Sequence, residues 1–365
     1  MIETAKPISV VIVGFGLGGR IFHGPLVGAT AGLSVGGIVT SNPDRQAQAR
    51  AAYPAAAIYT TADEAWHGGH ELAAISTANI THKEYAAAAL DAGMHVVLDK
   101  PLVPTAADAV ALGELAATKA RLLIPFQNRR WDSDFLTARA VASSGSLGTV
   151  HRFESRIARM RMSLSGAWRE STNPSDMGGA LWDLGPHVID QALQLMGPVT
   201  SVFASARSVR SAGGMDDDDT VVLTHGSGAI STLVTSLIAA FGEPRFTLFG
   251  TEGGLRIDAS DSQEDALVAG RLPEPGVLWG VEPPGTEAIL RTFAPDRTPT
   301  QALVPLERGA WPVFYAAVER AIRGEGAPPV PLDDAIADLR VIEAAHESAA
   351  DRSVVTLNPP AAHRA

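Results

Sequence analysis

The chain opens on short apolar runs rich in β-branched residues at 9–14 (SVVIVG), 33–39 (LSVGGIV), 72–77 (LAAIST), 95–99 (HVVLD) and 122–127 (LLIPFQ). Between them lie stretches with helical periodicity, such as 81–93 (THKEYAAAALDAG) and 105–120 (TAADAVALGELAATKA). A strand without polar alternation is covered on both faces, and helices alternating with such strands predict a doubly wound α/β domain around a parallel sheet. After Gln127 the pattern changes. Residues 128–145 read as one helix with an Arg-rich start, and the strands that follow come in clusters at 198–209, 219–237 and 244–258, with HGSG and GTEGG as turns. Clustered strands joined by tight turns predict a largely antiparallel sheet in an α+β second domain. Residues 309–323 and 333–350 read as amphipathic helices, separated by the Pro-rich GEGAPPVP, which stops the first and precedes the Asp-led start of the second. The expected division is one domain over 1–127 and another over 128–365.

Composition narrows the function classes. The chain has 365 residues, 46% of them apolar, enough to bury a sizeable core and to favour two domains over one. Twenty-nine Lys and Arg face 40 Asp and Glu, for a formal charge of −11, with no cluster of basic residues, so a nucleic-acid partner is not expected. The absence of cysteine removes disulfides, thiolate metal sites and cysteine nucleophiles together. No apolar run approaches the roughly 20 residues of a membrane span and no signal-peptide pattern precedes the first strand, so a soluble cytoplasmic protein with no membrane partner is the expectation. The acidic run Asp216–Asp219 reads as a solvated turn.

The first turn carries a cofactor signal. Gly14, Gly16 and Gly19 stand in G-x-G-x-x-G spacing between the first strand and a helix. In that context the first glycine permits the tight turn, the second lets backbone approach a pyrophosphate and the third lets the helix pack on the strand. A dinucleotide-binding domain is predicted. At the end of the second strand, where NAD-preferring domains place an acidic residue for the ribose 2′-hydroxyl, the chain reads Thr40, Ser41 and Asn42, with Arg45 within reach of a 2′-phosphate. This tilts the cofactor toward NADP, with NAD possible. The plainer reading is that Ser41 or Asn42 caps the next helix and Arg45 is solvated.

A second signal is GGALWDLGPHVIDQ, residues 178–191, where Asp183, His187 and Asp190 recur at spacings of four and three. Such spacings bring side chains to one helical face. Three readings stand at this point: a metal site, which would want a further ligand; a structural motif in which Asp183 caps a helix and His187 is a satisfied core histidine; and a catalytic pair.

The motifs together resemble the glucose-fructose oxidoreductase, inositol 2-dehydrogenase and rhizopine-catabolism (Gfo/Idh/MocA) family of oxidoreductases. The likeness is carried by GFGLGG, FHGPL, STANITHKEYAAAALDAGMHVVLDKP, NRRWDSDF and GGALWDLGPHVIDQ, and it is strongest to the NADP-dependent scyllo-inositol dehydrogenase branch. It implies a Rossmann domain followed by an open-faced sheet domain that carries the substrate and often mediates oligomers, here a homodimer or homotetramer. It implies catalytic roles for Lys100, Asp183 and His187. It adds Phe15, Thr77, Asn79, His82, Asp99, Gln127 and Asn128 to the cofactor contacts of Gly14, Gly16, Gly19, Thr40, Ser41 and Arg45, with Lys100 shared. Arg129, Trp168 and Arg169 join Lys100, Asp183 and His187 toward the substrate. Two departures stand out: the family's Glu-Lys-Pro is Asp-Lys-Pro at 99–101, and Ala78 replaces a proline usual after the strand over 72–77.

Lys100 decides between the readings of the 178–191 cluster. It falls at the carboxyl end of the strand over 95–99, the edge where open α/β sheets bind ligands, and the glycine turn opens on the same edge. Oxidation of a secondary alcohol needs a base for the hydroxyl proton while a hydride leaves carbon. His187 is therefore expected as base, Lys100 as the cation on the reacting oxygen and Asp183 as the group that orients the pair, whereas Asp190 is expected to face structure. Two other functions share these features: hydrolysis or epimerisation of a sugar with tightly held NAD(P), and a non-catalytic dinucleotide sensor.

Overall fold

The structure is a computed structural model that describes residues 6–163, 170–274, 276–294 and 296–358. It divides into two compact units. The first runs up to Trp131 and takes in Ser262–Gly280 and Ala310–Ile336; the second comprises Asp132–Asp261, Val281–Gly309 and the chain from Ala337 onward.

The first unit is built on strands β1 (Ile8–Val13), β2 (Leu33–Val39), β3 (Ala57–Tyr59), β4 (Leu72–Ile75), β5 (His95–Leu98) and β6 (Leu123–Pro125). They form one parallel sheet in the order β3-β2-β1-β4-β5-β6, the doubly wound order in which the chain reverses direction across the sheet beside β1. Val10, Val11, Ile12, Val13, Leu72, Ala73, Ala74 and Ile75 are completely enclosed, which is why these strands show no polar alternation. The crossovers are a π-helical turn (Gly18–His23) leading into α1 (Gly24–Gly28), then α2 (Pro43–Ala52), α3 (Ala62–Trp66), α4 (His82–Asp91) and α5 (Ala106–Thr118). Side-chain caps start several of them: Thr61 and Glu64 form a reciprocal capping box on α3, and Thr105 accepts from Asp108 N–H on α5.

The single cut expected after Gln127 is replaced by a discontinuous division. Helices α9 (Gln263–Val268) and α10 (Pro312–Ile322) belong to the first unit because their apolar faces enter its core: Leu267, Trp279, Trp311, Phe314 and Tyr315 pack with Val10, Leu26, Val97 and Phe126. Gln263 ties the two inserted segments together, its Oε1 accepting from Trp279 Nε1 and Trp311 N–H.

The second unit carries β7 (Val150–Ala158), β8 (Val199–Arg207), β9 (Asp218–His225), β10 (Ile230–Ser236), β11 (Phe246–Gly250), β12 (Gly253–Ile257), β13 (Ala288–Phe293), β14 (Pro299–Val304) and β15 (Val355–Thr356). They form one sheet in the order β14-β13-β12-β11-β7-β10-β9-β8-β15, antiparallel except where β7 runs parallel to β10. One face buries Phe153, Val202, Val221, Leu223, Leu233, Leu248 and Leu255 against α6 (Ser133–Ser143), α8 (Gly185–Met196) and α11 (Leu332–Asp351). The helix read over 128–145 is shorter than expected: Asn128–Trp131 is a 3-10 turn and α6 begins only at Ser133.

Candidate active site

The turn after β1 shows why its glycines are where they are. Gly14 has φ +94°, and a Cβ there would stand 2.4 Å from the Ser76 carbonyl oxygen. A Cβ on Gly19 would stand 1.9 Å from the Gly14 carbonyl oxygen. Gly16 differs: the nearest atom a Cβ would meet is Arg45 Nη1, at 3.8 Å. Packing forces the two outer glycines, while the middle one faces open space beside a guanidinium. That cradle suits a dinucleotide whose pyrophosphate approaches backbone. Phe15, in the turn, is buried with Ile12, Ile38 and Ala49 and turns only its backbone to the edge.

The end of β2 divides its polar residues. Thr40 is buried, with its N–H on Tyr59 O and its carbonyl on Gln46 Nε2. Asn42 caps α2 by accepting from Arg45 N–H at 3.0 Å, as the plainer reading proposed. Ser41 and Arg45 are exposed.

Around the ends of β4, β5 and β6, Thr77 Oγ1 lies 2.7 Å from Thr81 Oγ1, and Asn79, Gln127 and Asn128 are buried. Lys100 is half-buried directly after β5. Its neighbour Asp99 accepts from Ser76 Oγ at 2.6 Å and has Oδ1 3.5 Å from His23 Nε2. Burial would raise the Asp99 carboxyl, but His23, the Ser76 hydroxyl and His82 together hold it below its ordinary value. His82 is fully enclosed, its Nδ1 donating to the Pro101 carbonyl at 3.0 Å, and burial lowers its pKa against the opposing pull of Asp99. The ring that the resemblance places near the nicotinamide is thus held inside the unit by its Nδ1 bond. Arg129 is paired with Glu264 at 2.8 Å.

In the second unit, Asp183 ends the short helix α7 (Ala180–Asp183) and His187 lies in the first turn of α8. Leu184 is the N-cap of α8 and no side chain bonds there, so Asp183 is not the helix cap of the structural reading. Asp183 is half-buried, whereas His187 and Asp190 are 6% and 2% exposed. The start of α7 is gripped from β9's approach: Leu181 N–H donates to Asp216 Oδ2 at 2.7 Å and Ala180 N–H to the Asp216 carbonyl at 2.9 Å. Gly179, with φ +101°, lets this happen, since a Cβ there would stand 2.1 Å from Asp216 Oδ1. Behind α8, Gln191 accepts from Arg245, which also bonds Ser155 and pairs with Asp134 at 3.4 Å.

The acidic run expected to be a solvated turn is instead wired into the fold. Asp217 accepts from Val209 N–H, Arg210 N–H and the Arg210 guanidinium, and Asp219 is buried beside Thr235. Burial and the neighbouring Asp216 push the Asp219 carboxyl up to about 9, so it carries a proton at neutral pH. A run of four like charges could have announced this, because a strand that alternates inward has to bury some of them. Trp168 and Arg169 lie outside the described residues. Among the described residues no group of three or more His, Asp or Glu is arranged to hold a metal ion.

Residues 8–126 match the oxidoreductase family with an NAD-binding Rossmann fold, and residues 135–256 match the GFO/IDH/MocA C-terminal domain. The chain is 33% identical over 351 residues to the Bacillus subtilis scyllo-inositol 2-dehydrogenase (NADP(+)) IolW, spanning 96% of each chain. It is 27% identical over 282 residues to D-xylose 1-dehydrogenase (NADP(+)) 2 of Haloferax volcanii, covering 77% of this chain and 78% of that one. The solved structure of yvaA from Bacillus subtilis superposes with a TM-score of 0.90 at 31% identity, covering 97% of this chain and all of that one. With both of its parts matched, the chain belongs to the Gfo/Idh/MocA family of NAD(P)-dependent oxidoreductases.

Proposed function

We propose that this dehydrogenase moves a hydride between NADP and a secondary alcohol of a cyclic polyol or sugar, scyllo-inositol-like, to give the ketone, or runs the reverse. The observation that carries the reading is Lys100 at the carboxyl end of β5, on the sheet edge where the Gly16 face opens beside Arg45. The names of the two curated relatives, both NADP(+) enzymes acting on a polyol or a sugar, support the substrate class.

The backbone of Gly14, Phe15, Gly16 and Gly19 would hold the pyrophosphate, Ser41 and Arg45 the 2′-phosphate, and Thr77, Asn79, Gln127 and Asn128 the nicotinamide end. When bound, the nicotinamide supplies the hydride acceptor. His187 takes the hydroxyl proton, a task suited to imidazole near neutral pH. Lys100 holds and polarises the reacting oxygen as negative charge develops on it. Asp183 accepts a hydrogen bond from a neighbouring hydroxyl and so fixes which carbon reacts.

A panel of inositols, aldoses and their ketones with NADP and NAD, followed at the reduced-nicotinamide absorbance, tests the function directly. Turnover on none of them would overturn it. On a true substrate, His187→Ala should lower kcat by about 10²–10⁴ while dinucleotide binding persists, the usual contribution of a positioned base. Near-normal turnover would remove His187 from the chemistry.

A further inference from the structure

His23, in the FHGPL segment, is the residue the reaction leaves unused although it sits wholly inside the first unit. It is 0% exposed, as is Tyr315, which the chain brings back 292 residues later on α10. His23 Nδ1 lies 2.6 Å from the Tyr315 hydroxyl, and its other nitrogen, Nε2, lies 3.5 Å from Asp99 Oδ1. Phe126 packs against the imidazole, with ring centroids 4.3 Å apart. The second Asp99 oxygen accepts from Ser76 Oγ. We propose that Tyr315, His23 and Asp99 form a buried positioning relay for Lys100, in which Asp99 is a structural anion and not a cofactor contact. The relay rests on the catalytic reading of Lys100.

The direction of the chain follows from its donors. Burial and Asp99 push the Tyr315 phenol well above its ordinary pKa, so it keeps its proton, and in the proposed relay it donates to Nδ1 across the 2.6 Å contact. A neutral imidazole that accepts at Nδ1 carries its own proton on Nε2, facing Asp99. At 3.5 Å that contact is longer than an ordinary hydrogen bond, a charge–dipole approach of the Nε2–H to the carboxylate. Asp99 thus has one oxygen on Ser76 and one toward His23. An Asp is one methylene shorter than the Glu of the family motif, and it meets these two partners at the base of the turn.

The geometry concerns Lys100 because its flanking residues are both held. Asp99 is fixed by Ser76 and His23, and Pro101 is fixed through its carbonyl by His82 Nδ1 at 3.0 Å. A lysine with four rotatable bonds positions its ammonium only as well as its backbone is positioned. Apolar residues could fill the space beside Phe126 without enclosing a His–Tyr pair, which makes a polar chain there an expensive filler.

Tyr315→Phe keeps the ring and removes only the hydroxyl. Misplacing a reacting group commonly costs ten- to a hundredfold, so kcat on a polyol substrate should fall by about that factor while the NADPH dissociation constant, read by fluorescence, changes less than about threefold. In a Lys100→Met background Tyr315→Phe should produce no further fall. Imidazole 15N NMR gives a readout without substrate: His23 should be the Nε2–H tautomer in the parent chain and lose that preference in Tyr315→Phe. An unchanged kcat, or an equal fall in both backgrounds, would overturn the relay, as would Asp99→Asn losing NADPH affinity in step with kcat. Full turnover by Lys100→Met would instead sink the reading of Lys100 on which the relay rests, a result recognisable whatever Tyr315→Phe does.

Discussion

At the end of β2 the proposed ribose contacts come down to two exposed side chains, the uncharged Ser41 and Arg45. The structure leaves Ser41 and Arg45 exposed, commits Asn42 to the cap of α2 and buries Thr40, so two residues remain to tell a 2′-phosphate from a 2′-hydroxyl. Arg45 also reaches the open face of Gly16. We expect NADP to be favoured over NAD in kcat/KM, and Ser41→Asp to move the preference toward NAD, because a carboxylate accepts from the 2′-hydroxyl and repels the 2′-phosphate. Steady-state kinetics with both cofactors check this; equal or better use of NAD by the parent chain would contradict it. The glycine spacing was readable in the sequence because Gly14 and Gly19 are forced by packing and Gly16 keeps the open face between them. The roles of His82 and Asp99 were not, since a motif shows which residues lie at a strand end and not whether they face outward or down into the unit.

Among the elements, the strands that were legible are those whose pattern is set by burial. The parallel strands β1, β2, β4, β5 and β6 are mostly apolar without alternation, and β8 to β12 alternate. β3 and β15 were missed because they span only three and two residues, and β7, β13 and β14 because they are half-exposed and carry charged or polar side chains such as Arg152, Glu154, Arg291 and Gln301, which imitate loop composition. The 178–191 segment was read as one helix face, whereas the backbone breaks it at Leu184 into α7 and α8. β9 yields a pH prediction. Burial and the neighbouring Asp216 push the Asp219 carboxyl in the folded chain well above the ordinary value of about 3.9 that it has when unfolded. Between the unfolded and folded values the folded chain keeps a proton that the unfolded chain has released, so stability is greatest at the acid end of this window and falls as pH rises through it. Asp219→Asn, which mimics the protonated carboxyl, should flatten that slope. Denaturant midpoints between pH 5 and 9 for both proteins measure it, and parallel curves would mean that Asp219 is ionised in the folded chain.

For the whole molecule, contiguity in sequence was the misleading guide. The two expected domains are present as compact units, but segments 262–280 and 310–336 return to the first because Trp279, Trp311, Phe314 and Tyr315 find their apolar surroundings there. The nine-stranded sheet of the second unit raises a different question, what covers its other face. Val202, Val221 and Leu233 point into the core, and the alternating positions show apolar side chains outward: Phe203 is 44% exposed, Ile230 43%, Phe293 51% and Leu303 64%. Val222 opposes Phe203 in the β8–β9 register, and Ile289 opposes Leu303 between β13 and β14, so these residues lie on a continuous strand-to-strand surface. Arg152, Glu154 and Arg156 cross its middle and give it a polar band. An exposed surface of this kind, apolar with a charged stripe, is characteristic of an interface between subunits. We therefore expect a homodimer or homotetramer assembled through this sheet. Light scattering at micromolar concentration should return a multiple of the chain mass, and Phe203→Glu, which places a charge on the surface without touching the core side of β8, should shift the population toward monomer. A parent chain that is monomeric under those conditions would leave the sheet face to some other partner.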